Sequence, residues 1–213
     1  MSGLNCKPSE YYMLEREELI LFVPYGAHRV LELGCAEGNT GARLKVDGRA
    51  AVVVGLELNP EVALRAQAKL DYVLCGNIEH ADVPAPYGLY DYILAGDVLE
   101  HLIDPWSTLK KLKGSLKPTG KIIFSVPNLR NWTVLFPLLF NGKWEYQNFG
   151  IMDSTHLRFF TKKSCIALVK SAEMSLISIT PAGSKIANKL HKLHMSTLVE
   201  LAAVQFVVVC ENK

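Results

Sequence analysis

From residue 29 onward the sequence alternates short, unbroken apolar runs with helix-forming stretches, and nothing else in the chain constrains its fold as much. The runs are Arg29–Leu33, Ala51–Leu56, Asp71–Cys75, Asp91–Ala95 and Gly120–Val126, followed by Leu176–Thr180 and Ala203–Cys210. They are rich in Val, Ile and Leu and lack the polar alternation of a strand with one wet face. They therefore read as strands covered on both sides. Gly38–Leu44, Pro60–Lys69, Trp106–Lys113 and the stretch from an N-cap at Thr161 to Ala172 read as helices, and a basic helix is expected over Lys185–Leu198. Strand–helix alternation predicts a doubly wound α/β fold, a seven-stranded sheet with helices on both faces. The apolar share, 49%, suits a sheet sandwiched in this way. Residues 1–213 are expected to form a single domain.

Two pieces stand outside this rhythm. Residues 9–22 read as an amphipathic N-terminal helix, capped by Ser9 and ended by Pro24 and Gly26. The stretch 128–156 carries Trp132, Phe136, Phe140, Trp144, Tyr146 and Phe149 and reads as a substrate-side insert or lid, with a dimer surface or core as alternatives. The charges nearly balance, 23 Lys plus Arg against 21 Asp plus Glu, and no basic block marks a nucleic-acid footprint. The five cysteines, at 6, 35, 75, 165 and 210, form no CxxC pair, which argues against a disulfide framework or structural zinc and fits a reducing cytoplasm. The N-terminus shows no apolar signal region, and the longest apolar runs, Trp132–Phe140 and Leu201–Cys210, fall well short of the roughly 20 residues that span a bilayer.

The chemistry begins where the first strand meets its helix, at Leu33-Gly34-Cys35-Ala36-Glu37-Gly38. Glycines in such a turn let the backbone bend and approach a ligand, and ligands of open α/β sheets bind beyond the carboxyl ends of the strands. A dinucleotide fingerprint would need glycine at 36 and 39, where Ala36 and Asn39 stand, and the lysine of a phosphate-binding P-loop is missing. Glu32 and Glu37 flank the turn and favour a ligand carrying positive charge. Glu57, at the end of the second strand, lies 23 residues after Gly34, where an acid hydrogen-bonds a ribose diol. A ribose clamp without a phosphate cradle fits adenosine joined to a sulfonium amino acid.

In order along the chain, VLELGCAEGNTG, GLELNP, CGNIEH, DYILAGDVLEHLIDPW and LKPTGKIIFSVPN resemble the motifs of the class I S-adenosylmethionine-dependent methyltransferases, over about residues 29–128. That resemblance implies a Rossmann-like, mostly parallel sheet with the last strand antiparallel, and S-adenosylmethionine as cofactor. Onto this chain it carries cofactor contacts at Tyr12, Glu32, Gly34, Cys35, Gly38, Glu57, Leu58, Asn77, Ile78, Gly96 and Asp97. Glu32 and the backbone at Gly96 would face the amino-acid end. Asn77, in a place usually held by Asp, and Ile78 would face the adenine. Asp97 reads equally as an N-cap and Asn77 as an Asx turn. Tyr11-Tyr12 followed by Glu15-Arg16, Gly142-Lys143-Trp144-x-Tyr146, Gly150-Ile151-Met152-Asp153 and Thr155-His156-Leu157-Arg158-Phe159-Phe160-Thr161 further resemble a bacterial methyltransferase group associated with glycosyltransferases and surface-polysaccharide synthesis. This implies a sugar, glycan or other small acceptor.

His101 and His156 are the candidate bases, since an unperturbed imidazole titrates near pH 6.5, as a base acting at neutral pH requires. Asp97-x-x-Glu100-His101 with His156 also resembles the ExxEH arrangement of some metal-assisted methyltransferases, with Asp in place of the first Glu. No metal is assigned. The rival readings are an NAD-dependent oxidoreductase on the same fold and a partner subunit that binds cofactor without turnover.

Overall fold

The computed structural model describes residues 12–193 and 196–213. Its strands are β1 (His28–Leu33), β2 (Ala50–Glu57), β3 (Tyr72–Cys75), β4 (Tyr90–Gly96), β5 (Leu116–Pro127), β6 (Met174–Ala182) and β7 (Gln205–Asn212). Its helices are α1 (Glu17–Ile20), α2 (Asn39–Val46), α3 (Pro60–Ala66), α4 (Pro105–Lys113), α5 (Trp132–Asn141), α6 (Lys162–Ser171), α7 (Lys185–Lys192) and α8 (Ser196–Ala202). The seven strands form one sheet in the order β3-β2-β1-β4-β5-β7-β6. The pairings from β3 to β5 are parallel, and β7 runs antiparallel between β5 and β6.

Both sheet faces are buried, as the unbroken apolar runs require. Leu31, Val54, Ile93 and Ile122 stand in register across four strands and pack with Leu109 and Leu112 of α4 and Leu168 and Val169 of α6. Their neighbours Val30, Val53, Leu94 and Ile123 point the other way, toward Leu19 of α1, Leu44 of α2 and Ala63 and Ala66 of α3. Each such aliphatic side chain contributes about 1.5–3 kcal/mol by leaving water. The helices start where the sequence provides caps. Asn59 accepts from the Glu61 and Val62 N–H groups ahead of α3, Asp104 from Ser107 ahead of α4, and Thr161 and Ser164 close a reciprocal capping box on α6. β1 and β4 lie side by side, with β2 and β3 on one side and β5 on the other, so the carboxyl ends of β1 and β4 flank the point where the strand order reverses.

Three expected elements come out differently. In place of a helix over 9–22, the described part of that stretch holds only the four-residue α1; Ser9 and Tyr11 lie outside the described residues. The backbone there is held by the glycine turn instead. Glu37 N–H donates to Tyr12 O, the Asn39 amide to Met13 O, and Arg16 N–H to Thr40 Oγ1. The stretch 128–156, expected to be irregular, contains the ten-residue α5, whose first turn is capped by Asn131. The helix expected over Lys185–Leu198 is two, α7 ending at Lys192 and α8 beginning at Ser196. Among the described residues no helix is long and apolar enough to cross a membrane.

Candidate active site

A cavity of about 240 Å³ opens at the carboxyl ends of β1, β2, β3 and β4. Ten of the eleven residues expected to bind cofactor line it: Tyr12, Glu32, Gly34, Cys35, Glu57, Leu58, Asn77, Ile78, Gly96 and Asp97. Gly38 does not. It caps α2 with φ +78°, and a Cβ there would sit 3.0 Å from Leu70, so the position favours glycine. Gly34 has φ +59°, and a Cβ would come within 2.8 Å of Val98, so the turn tolerates only glycine there.

Glu57 is fixed by the loop it serves. One carboxylate oxygen accepts from Ala36 N–H at 3.0 Å and the other from Asn59 N–H at 2.9 Å. A carboxylate offers about four acceptor positions, so one on each oxygen remains for a diol. Glu32 is buried at the cavity floor. Burial pushes its carboxyl up to about 8, against opposing hydrogen bonds from Thr40 and Gly41 and the charge of Arg16, and its Oε2 has no hydrogen-bond partner. A buried acid with an unused oxygen suits a cationic group. Glu37 is not part of this arrangement: it turns outward to pair with Arg65 at 2.8 Å. Asn77 Oδ1 accepts from Glu79 N–H at 2.9 Å, so it forms an Asx turn while lining the cavity.

Asp97 does not cap the following turn; that position belongs to Val98. It takes the left-handed conformation, φ +53°, and holds two partners, Arg16 Nη1 at 2.5 Å and the Ser125 hydroxyl at 2.8 Å. Arg16, quoted only within the second resemblance, and Thr40 also line the cavity, and the sequence assigned neither a site role. Arg16 lies 81 residues from Asp97, and no local pattern links them.

A smaller cavity, about 110 Å³, adjoins the first and shares Asp97 and His101 with it. Its other walls include Glu100, Pro127, Phe149, Ile151, Asp153, His156 and Val204. The two histidine rings stand edge to face, 4.8 Å apart. His156 Nδ1 donates to Ile151 O at 3.0 Å and His101 Nδ1 to Thr155 O at 3.1 Å, which leaves Nε2 as the basic nitrogen of each. Glu100 O accepts from both Leu157 N–H and Arg158 N–H, so the segment 155–158 is bolted to the turn that carries His101. The Glu100 side chain is fully buried, with neither oxygen hydrogen-bonded, and Oε1 is 4.0 Å from His156 Nε2. Burial, with the charge of Asp97, holds its carboxyl well above the usual carboxylate range. Glu100, His101 and His156 offer ligand atoms within 4.8 Å of one another.

Residues 10–179 match a family described as a methyltransferase domain. A ubiquinone biosynthesis O-methyltransferase of Vibrio campbellii is 30% identical over 135 residues, 60% of this chain and 54% of the relative. The chain thus spans about half the length of the curated relatives it matches. Among solved structures, a SAM-dependent methyltransferase from Archaeoglobus fulgidus has a TM-score of 0.67 at 14% identity, covering 96% of this chain and 95% of the other. One from Thermotoga maritima has a TM-score of 0.66 at 19% identity, covering 96% and 91%.

Proposed function

Because this chain belongs to the methyltransferase-domain family, we propose that it transfers a methyl group from S-adenosylmethionine to a hydroxyl oxygen of a small acceptor. The observation that carries the reading is the junction of the two cavities, where His101 and Asp97 line both. A hydroxyl entering by the smaller cavity meets an imidazole at the edge of the cofactor cavity. The Vibrio campbellii relative, an O-methyltransferase, supports oxygen as the acceptor atom. Sugar and glycan hydroxyls belong in the acceptor screen because of the resemblance carried by residues 142–161.

Glu57 would hold the ribose, Asn77 and Ile78 the adenine, and Glu32 with the Gly34 and Gly96 backbone the amino-acid end. The bound cofactor supplies a methyl group already attached to a good leaving group. The protein's main contribution is alignment, which supplies up to about 7–11 kcal/mol. His101, through Nε2, takes the proton that the acceptor hydroxyl must lose, and His156 stands behind it as the second base. Isothermal titration with S-adenosylhomocysteine tests the cofactor: no heat from the wild type overturns the reading. Turnover on an acceptor screen separates an enzyme from a silent binding subunit, and turnover dependent on a nicotinamide would favour the oxidoreductase instead.

The unpartnered oxygens of Glu100 favour a second version of the same reaction. Glu100, His101 and His156 would hold a divalent cation, a mixed carboxylate and imidazole donor set that suits several metals. Such an ion would lower the pKa of the acceptor hydroxyl. Activity unchanged by a chelator removes this version and leaves the histidine base.

A further inference from the structure

We propose that the face built by α5 and α7 docks on an anionic lipid surface. The ten residues of α5, WTVLFPLLFN, contain no charge, and not one is buried. Trp132, Phe136, Leu139 and Phe140 recur at helical spacing as an exposed stripe, Leu139 at 68% and Phe140 at 74% exposure. An apolar stripe this large on a water-facing helix is an interaction surface. Trp144 and Tyr146 continue it, and both are residue types that favour the boundary between lipid and water.

The charge that selects the partner comes from α7. Lys185, Lys189 and Lys192 fall at i, i+4 and i+7, one stripe of the helix, all exposed and none in an ion pair among the described residues. Ile186 and Leu193 are exposed beside them. A lysine stripe bordered by aliphatic side chains fits anionic headgroups over shallow apolar insertion. Glu145, beside α5, is paired with Lys143 at 3.0 Å and so subtracts little from this charge.

The two helices leave the sheet at neighbouring points, since Pro127 ahead of α5 and Ala182 ahead of α7 both pair with Gln205 of β7. Ile151 and Val204 both line the smaller cavity beside the histidines. Ile151 also lines a groove of about 290 Å³ whose other wall is Val134 and Pro137 of α5. Val204 meets the turn that leads into α7, where a Cβ on Gly183 would lie 3.0 Å from its own. Docking by α5 and α7 would set the smaller cavity against the bilayer.

Co-sedimentation of the full chain with vesicles tests this without any turnover. Vesicles of phosphatidylcholine with phosphatidylglycerol are expected to bind the protein, and vesicles of phosphatidylcholine alone far less. Lys185→Gln, Lys189→Gln and Lys192→Gln together should weaken binding on the order of 100-fold, because each surface lysine near an anionic membrane is worth about fivefold. Phe136→Ser with Phe140→Ser should weaken it at least about tenfold. Unchanged S-adenosylhomocysteine affinity certifies that both variants fold. Equal sedimentation with the two vesicle types overturns the proposal. So does a wild-type dimer in sedimentation equilibrium that Phe136→Ser with Phe140→Ser dissociates, which would give the face to a second copy.

Discussion

Glu32→Gln is expected to unfold at higher urea concentration than the parent while binding S-adenosylhomocysteine more weakly. The Glu32 carboxyl titrates near 4.5 in an unfolded chain and, chiefly because of burial, near 8 in the folded one. The folded value is the higher, so the folded chain holds the extra proton. Its contribution to stability is full below the unfolded value and is lost as pH rises toward 8. At pH 7 the loss is about 3 kcal/mol, from 1.36 kcal/mol per pH unit above the unfolded value. Glutamine is neutral at every pH and can keep the Thr40 and Gly41 contacts through its carbonyl, so it avoids that loss. Urea denaturation should show a gap between variant and parent of up to about 3 kcal/mol at pH 7 that shrinks below about 1 kcal/mol at pH 5. Binding runs in the opposite sense, since the α-ammonium group of the ligand would draw Glu32 into its charged form. The parent should release about 0.9 proton on binding at pH 7, and its affinity should rise about ninefold from pH 6 to pH 7. Titration calorimetry in buffers of different ionisation enthalpy reads both quantities, and both should vanish in the variant. A gap that does not change with pH, or a parent that binds without proton release, would refute the account of a buried acid awaiting a cation.

Glu57→Ala strands the Ala36 and Asn59 N–H groups and removes the diol acceptor, so S-adenosylhomocysteine affinity should fall about 100-fold or more in calorimetry. Gly34→Ala forces a side chain into the left-handed conformation 2.8 Å from Val98, and thermal unfolding should show a loss of about 1–3 kcal/mol. His101→Ala should lower kcat by about 10²–10⁴ with a smaller effect on cofactor affinity. The pH–rate profile reads the base directly, and a flat profile with His101→Ala and His156→Ala both active would remove it.

The strands were legible because a parallel sheet between two helical layers has no wet face, so runs such as AVVVGL betray it by composition alone. The places of Glu57 and Gly34 in the cavity wall were legible because they depend on chain spacing within one strand–helix–strand unit. Arg16 and Thr40 were not, since they meet Asp97 and Arg16 only after the chain has closed on itself. Helix α5 escaped notice because a helix apolar on nearly every side has no amphipathic period to detect. The supposed N-terminal helix failed for the converse reason. Its sequence has a helical period, yet its backbone groups find partners in the glycine turn. Gly38 sits in the expected loop but does not line the larger cavity, because it turns the chain into α2 against Leu70.

The segment Tyr12–Arg16 forms one wall of the larger cavity and is tied down by contacts to Glu37, Asn39, Thr40 and Asp97. At about 0.5–1.5 kcal/mol for each ordinary hydrogen bond, and more for the charged one, releasing this strap costs a few kcal/mol. It is thus open only a small fraction of the time. The smaller cavity also touches Asp97 and has walls of its own. On the proposed function the two ligands would enter by different cavities. On that function the strap would time the exchange of spent cofactor, and loosening Arg16 should speed turnover wherever product release is the slow step.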